Sequence, residues 1–505
     1  MSTVTRIFSA KTAGVTSVPV TVEVEITSGV GIHLVGLADQ AVKESLLRTV
    51  TAIQSCGFHF PGKRVVINIA PADLRMGASA YDLPIALAII AASGQRTMPD
   101  IEKYVIAGEI GLDGSVRDIP GWLQVAEAAK ESGRACILPT ESAKLAAMVL
   151  EREVAIYGVD DLKEAIEILA EGAPDWTARD DYESDDRMMK ESNTEELCWD
   201  DIKGQSAAKR ALEIAAAGGH PILLMGVPGT GKTTLAKAIR EILPPMSKDE
   251  AREVQRIYSA SGRKAPLGVR PFRAPHYSVS LAAMLGGGSG EVIRPGEVSL
   301  AHNGVLCVQD FNEYPKSLLE GLRSVMEDGK VTISRLRSKV DIPAKSLPVF
   351  TTLPCPCGYY GDGDRCTCSP GIRKAFLAKM NGPVMDMLTV QVFVQTPNEG
   401  APQGEPASLV AERIAKARKI QIERQGKLND DLTAEVLGRK GFMSEECADL
   451  VVNLFERLNL SSRAYSRIAK IARTIADLEG VNEILPQHIA EAASYRFLDR
   501  KEIEL

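Results

Sequence analysis

Apolar residues recur along this chain with more than one period. From Val18 to Ile26 (VPVTVEVEI) they alternate with polar ones, which predicts a strand with one face buried. Residues Ala38–Ser55 carry helical spacing, and Arg64–Ala70 (RVVINIA) reads as a second strand. Leu83–Ala92 is a mostly apolar helix, and Tyr104–Ile110 is a third strand candidate. Strands and helices alternating in one stretch predict an α/β or α+β domain over residues 1–171. Residues 172–196 (GAPDWTARDDYESDDRMMKESNTEE) are polar and acidic, expected as a solvated linker rather than an acidic binding tail. A strand–loop–helix pattern returns over 197–395, and a Pro/Gly-rich loop follows at 396–408. From 409 to 505 the pattern is helical, clearest at Ser408–Gln425 and Ser461–Leu478, with no convincing strand. An α/β multidomain chain is expected.

Composition narrows this picture. At roughly 150 residues per domain, 505 residues suit three domains. A net charge of −7 is not the footprint of an overall basic nucleic-acid binder, although it leaves room for basic patches. The best apolar run, Leu83–Ala92, has about half the roughly 20 residues a membrane span needs. No apolar signal region stands at the start, and four of the nine cysteines crowd into Cys355–Cys368. A cytoplasmic protein with no membrane partner and one local metal site is the expectation.

The strongest chemical signal follows Pro221–Met225 (PILLM). Gly226, Val227, Pro228, Gly229, Thr230, Gly231, Lys232, Thr233 and Thr234 spell GxxxxGK[ST] between a short buried strand and a helix. Glycines let backbone N–H groups face an anion, and the helix N-terminus adds its positive end. Lys232 is expected on β- and γ-phosphate oxygens and Thr233 on Mg²⁺, so ATP and Mg²⁺ are the expected cofactors.

Here the chain is similar to a known family. The phrases LLMGVPGTGKT, RPFRAPHYSVS, LGGGSGEVIRPGEVSLAHNGVL, PCPCGYY and SSRAYSRIAKIARTIADLEG resemble the ComM/YifB family of Mg-chelatase-like AAA+ proteins. So do GLADQAVKES, INIAPADLR and YDLPIALAI near the start, so that the likeness covers essentially the whole chain. The resemblance implies a Lon-C-terminal-like α+β N-domain, an AAA+ P-loop core with a parallel sheet and a helix-2 insertion, and a C-terminal helical lid. It also implies a hexameric ring, and in the better-studied branch an ATP-driven DNA motor for branch migration in natural transformation. Arg463, within SSRAYSR, falls at the lid's nucleotide-sensing position.

Against that pattern the catalytic positions differ. The family's FLDELPEF corresponds to residues 307–314, CVQDFNEY, which puts Gln309 at the Mg²⁺-associated aspartate and Asp310 at the catalytic glutamate. A shifted register would make Asp310 the metal-side carboxylate, with Phe311 at the base position and Glu313 beyond. The asparagine before PCPCG is Leu353, and the arginine expected to reach a neighbour's nucleotide is Met387. Binding kept and hydrolysis weakened or lost is the favoured expectation. An active ATP-driven DNA translocase and a chelatase-type remodeller of a protein partner are the alternatives.

Other features are less specific. Ser79 lies where Lon-like peptidases keep their serine, but the lysine position is Leu123, and a serine without a base is a weak nucleophile. Cys355, Cys357, Cys366 and Cys368 form two CxC hooks eight residues apart, favouring a structural Zn²⁺ over reduced unligated thiols or disulfides. Arg335, Arg337 and Lys339 sit on an expected hairpin, either touching DNA phosphates in a ring pore or lying solvated. Arg270, Arg273 and Arg294 are pore-facing or solvent-facing by the same reasoning, and His276 is given no chemistry. The partners expected are other copies of the chain, in a homo-hexamer or mixed ring, then DNA and a protein.

Overall fold

The computed structural model describes residues 4–35, 40–71, 78–172, 174, 177, 178, 198–288, 293–334, 339–380, 385, 387–396, 400–433, 436, 443–458 and 462–499. Most of the acidic 172–196 segment lies outside the described residues, as do Arg335 and Arg337.

The alternating segment forms β2 (Thr16–Thr27), paired antiparallel with β1 (Thr5–Ala13), a strand its mixed sequence does not announce. After β3 (Gly31–Val35) come α1 (Gln40–Ser55), β4 (Arg64–Ala70), α2 (Asp82–Ala92), β5 (Tyr104–Ile106) and α3 (Trp122–Glu131). Then follow β6 (Ala135–Pro139), α4 (Thr140–Leu150), β7 (Ile156–Val159) and α5 (Leu162–Glu171). The seven strands form one mixed sheet in the order β3-β4-β2-β1-β5-β6-β7. α2 is buried almost throughout, which explains its unbroken apolar run.

The strand expected over Tyr104–Ile110 stops at Ile106, and Glu109–Ile110 pairs instead with Val116–Arg117. Gly108 causes the break: its N–H donates to Ala80 O at 3.0 Å, and a Cβ there would lie 2.9 Å from Val116 Cγ1. The backbone passes too close to its neighbours for a side chain, and the ladder ends.

The middle segment holds α6 (Ser206–Gly218), β8 (Ile222–Met225), α7 (Lys232–Ile242), α8 (Lys248–Ser261), β9 (Phe272–Arg273) and β10 (Val305–Val308). It continues through α9 (Lys316–Asp328), β11 (Lys330–Ser334), β12 (Lys339–Pro343), β13 (Leu347–Thr352), α10 (Pro370–Met380) and β14 (Val390–Phe393). Five strands make an all-parallel sheet, β9-β10-β13-β8-β14. Every residue of β8, β10 and β13 is buried, as a parallel sheet covered on both faces requires. This sheet is consistent with the P-loop core that the resemblance implies.

The last hundred residues carry α11 (Ala407–Gln425), α12 (Glu445–Leu458), α13 (Ser462–Leu478) and α14 (Pro486–Ser494), without a named strand among the described residues. Nor is any helix among them long and apolar enough to cross a membrane. The first unit docks on the second through α3 and α8. Ser259 O accepts from Gly121 N–H (2.8 Å), Ser259 Oγ accepts from Leu123 N–H (3.0 Å), and Arg256 pairs with Glu127 at 2.6 Å.

Candidate functional site

Ligands of open parallel sheets collect at the carboxyl ends of the strands, and the candidate residues gather there. The loop 226–231 leaves β8, and Gly231 caps the start of α7. Gly229 and Gly231 have φ of +83° and +86°, a conformation that costs any residue with a side chain. Left-handed glycines of this kind let successive N–H groups of a loop face an anion at a helix N-terminus. Lys232 Nζ lies across the loop, donating to Gly226 O at 2.7 Å and Val227 O at 2.9 Å. Burial lowers its pKa, and the Asp310 carboxylate opposes that shift. Thr230 Oγ1 donates to Val227 O at 3.0 Å, whereas Thr233 is exposed on the first turn of α7.

β13 lies between β8 and β10 and braces both ends of the site. Thr352 O accepts from Gly226 N–H at 3.3 Å, and Thr351 Oγ1 accepts from Asp310 N–H at 3.1 Å. Gln309 hydrogen-bonds the Cys307 thiol, whose pKa burial pushes up to about 12. Asp310 is exposed, with φ of +47°. Of the shifted register's residues, Phe311 is buried in the core and Glu313 accepts from Asn312 Nδ2 at 2.8 Å. Asn312 Oδ1 in turn accepts from Thr352 Oγ1 at 2.9 Å.

Leu353 follows directly after β13 and is half-buried. Met387 is buried, and its carbonyl accepts from Arg467 of α13 at 3.1 Å. Arg463 belongs to the first turn of α13, and its side chain lies outside the described part of the chain. Two contributors leave no mark in the sequence pattern. Gln205 donates to Thr230 O (3.4 Å) and Gln395 O (2.7 Å) and lines a cleft of about 790 Å³ together with Phe393 and Gly404. Arg467 also donates to Thr389 Oγ1 at 2.7 Å, tying α13 to the entry of β14.

The cysteines converge. Cys355 is buried and the other three are half-buried, with no disulfide among them. Sγ–Sγ distances are 3.3 Å for Cys355–Cys357, 3.8 Å for Cys355–Cys366 and 3.7 Å for Cys357–Cys366. All four sulfurs lie within 4.8 Å of one another, so the cluster could hold a metal ion.

The expected hairpin forms, β11 pairing antiparallel with β12 and Lys339 standing opposite Ser334. Lys339 is exposed, and Arg335 and Arg337 lie outside the described residues. The pore- or solvent-facing expectation fails for Arg270, which is buried and donates to Pro244 O and Asn303 O, both at 2.6 Å, while pairing with Glu250. Arg273 is held by both oxygens of Glu297, and Arg294 is exposed. Ser79 lies in a short turn before α2, and Leu123 is buried in α3. His276 Nδ1 lies 2.8 Å from Ser278 Oγ.

Three family models match successive parts of the chain. "Subunit ChlI of Mg-chelatase" covers residues 22–142, "Magnesium chelatase, subunit ChlI" 198–401, and "Magnesium chelatase, subunit ChlI C-terminal" 404–496. The chain is 39% identical to the uncharacterized protein YifB of Salmonella typhimurium and 38% to YifB of Escherichia coli, over 97% of each chain. It is 36% identical to the competence protein ComM of Haemophilus influenzae, over 98% of this chain and 97% of that one.

Proposed function

The chain belongs to the Mg-chelatase ChlI-like family that includes YifB and ComM, and on that premise we propose an ATP-binding AAA+ protein whose hydrolysis is weakened or lost. It would be related to ComM-type DNA branch-migration motors. One contrast carries the reading: the phosphate loop is complete from Gly226 to Thr234, while Gln309, Asp310, Leu353 and Met387 occupy the four positions that hydrolysis requires.

The residues present fit a nucleotide. The loop amides and Lys232 would hold its phosphates, Thr233 would face Mg²⁺, and the cleft beside Gln205 offers space for a base. Bound Mg²⁺ would supply charge neutralisation at those phosphates. The usual aspartate–glutamate pair is what the site would lack. Gln309 offers a neutral amide to the metal side. Asp310 is one methylene shorter than glutamate, so a polarised water would sit about 1 Å too far, a misplacement that can cost about 10²-fold. Met387 has no charge to offer a neighbour, and losing such an arginine can cost roughly 10³–10⁵ in rate.

The rest of the chain is assigned accordingly. Residues 1–171 would be a Lon-like assembly platform without peptidase activity, because Leu123 supplies no base to Ser79. Residues 409–505 would be the lid. The protein would form a cytoplasmic ring, homo-hexameric or mixed with an active relative, and Arg335, Arg337 and Lys339 would meet DNA. Zn²⁺ would occupy the four-cysteine cluster. One feature favours the active-translocase alternative: Asp310 keeps a carboxylate, whose charge opposes the lowering of the Lys232 pKa by burial.

ATP binding and steady-state hydrolysis, with and without single-stranded DNA and Mg²⁺, test the proposal against Lys232→Ala. Tight binding with turnover no faster than that variant is expected. DNA-stimulated turnover abolished by the substitution would establish a working motor instead.

A further inference from the structure

The cysteine cluster and the phosphate loop touch. Thr352, the last residue of β13, holds Gly226 through its carbonyl, and Cys355 follows three residues later. The turn at Cys355, closed by Gly358 N–H donating to Cys355 O at 2.9 Å, swings Gly358 over the loop. A Cβ on Gly358 would lie 3.3 Å from Pro228 Cγ and Cδ and 3.6 Å from Leu353 Cδ1, and its φ of +86° already disfavours one. Further along, Gly361 lies against Phe393 at the end of β14, where a Cβ would be 2.9 Å from the ring. The cysteine segment therefore leans on two of the strand ends that frame the nucleotide site.

The cluster also has the dimensions of a tetrahedral metal centre. Four sulfurs each about 2.3 Å from one Zn²⁺ stand roughly 3.8 Å apart. The separations of 3.3, 3.8 and 3.7 Å among Cys355, Cys357 and Cys366 come close to that value, Cys368 lies within 4.8 Å of the other three, and all are far from the ~2.05 Å of a disulfide. Backbone N–H groups of Gly358 and Tyr360 bond Cys355, and that of Tyr359 bonds Cys357, an outer shell of donors suited to thiolates. Two cations stand by: Arg365 lies 4.1 Å over Tyr359, and Arg373 lies 4.2 Å over Tyr360 while donating to Cys368 O at 3.2 Å. They suit a Zn(Cys)₄ centre, whose net charge is negative.

Between Cys355 and Cys368 the only helix or strand is one short turn, Gly363–Arg365, with no buried residue of its own. With so little core, ordering this segment falls largely to the metal, because in small metal sites binding energy is folding energy. We propose that metal loading of the cysteine cluster and nucleotide binding at the phosphate loop are linked, the loaded cluster bracing Pro228 and holding the loop in its binding shape. The linkage rests on the readings of the loop as an ATP site and of the cluster as a zinc site. It is reciprocal: nucleotide must hold the metal more tightly by the same factor.

The test uses the full-length protein. Zinc per chain and affinity for a fluorescent ATP analogue are measured as isolated, after chelation, and after zinc is restored. One zinc per chain is expected, with about tenfold weaker nucleotide binding after chelation, regained on restoring zinc, and about tenfold higher zinc affinity, read by competition with a chromophoric chelator, when the analogue is bound. Gly358→Ala strains the contact but spares every thiol; its zinc content is measured beside its nucleotide affinity, and at full zinc loading it is expected to lose most of the tenfold effect. Equal nucleotide affinity with and without zinc would overturn the linkage and leave both sites standing. A chain that binds nucleotide but takes up no zinc would overturn the metal site. Zinc bound with no nucleotide affinity in either state would overturn the ATP reading, and the linkage with it.

Discussion

The N–H of Asp310 donates to Oγ1 of Thr351 at 3.1 Å, fastening the residue two places beyond β10 to the next strand of the sheet. The backbone at the expected catalytic position is thus set by a strand that also holds Gly226. On the proposed reading, what departs from the family's pattern is side-chain chemistry. Supplying the missing carboxylate and the missing methylene together, as Gln309→Asp with Asp310→Glu, is expected to raise steady-state phosphate release by about 10- to 100-fold. Unchanged turnover in that assay would move the defect to Leu353 and Met387.

Asp82, the first residue of α2, gives the chain a pH-dependent stability term. It is fully buried, accepts from Ser45 Oγ and from Ile110 N–H, and pairs with Arg48 at 3.0 Å. Burial outweighs these partners and raises its pKa from 3.8 to about 6. The folded state then binds the proton more tightly than the unfolded one. The stability this confers is fully present below about pH 4 and is lost as pH rises through about 6, a change of about 3 kcal/mol. Asp82→Asn does not titrate. Between pH 4 and pH 7, denaturant unfolding should show the wild-type-minus-variant difference moving by about that amount in the variant's favour. A difference flat with pH would refute the shift.

Arg270 distinguishes a structural cation from a DNA-binding one. Its guanidinium joins the Pro244 and Asn303 carbonyls to the Glu250 carboxylate in a buried position. Arg270→Ala strands those acceptors, so a loss of about 3 kcal/mol in unfolding free energy is expected. Affinity for single-stranded DNA, measured well below the unfolding temperature, should stay as it was. A stable variant with weakened DNA binding would return Arg270 to the pore.

How much of this could be read from residues alone depends on sequence distance. The phosphate loop is nine contiguous residues between a strand and a helix, and Thr230 and Lys232 bond carbonyls inside it, so the motif carries much of its own geometry although Thr352 also holds Gly226. Gln205 and Arg467 act on residues 190 and 78 positions away, and neither residue type nor periodicity marks such contacts. Arg270 misleads for a related reason: carbonyls that satisfy a buried guanidinium are invisible in a sequence. The break after Ile106 turns on how closely Gly108 approaches Ala80 and Val116, which only packing decides. Two CxC hooks suggest a metal, but that their loop leans on Pro228 follows from the left-handed turn at Gly358.

The hairpin offers a test of DNA contact through salt. At its base Lys330 is paired with Asp341 at 2.5 Å, so its charge is met within the hairpin. Lys339 is exposed at the first position of β12, and Arg335 and Arg337 precede it in the sequence. Each cation that neutralises a phosphate of single-stranded DNA contributes about 0.7 to the slope of log affinity against log salt. Replacing Arg335, Arg337 and Lys339 together with alanine should flatten that slope by about 2, whereas Lys330→Ala should hardly alter it. Because the expected change counts phosphates rather than fold stability, a merely misfolded variant would show lost binding without this graded slope. An unaltered slope in a folded triple variant would leave the three cations as a solvated turn.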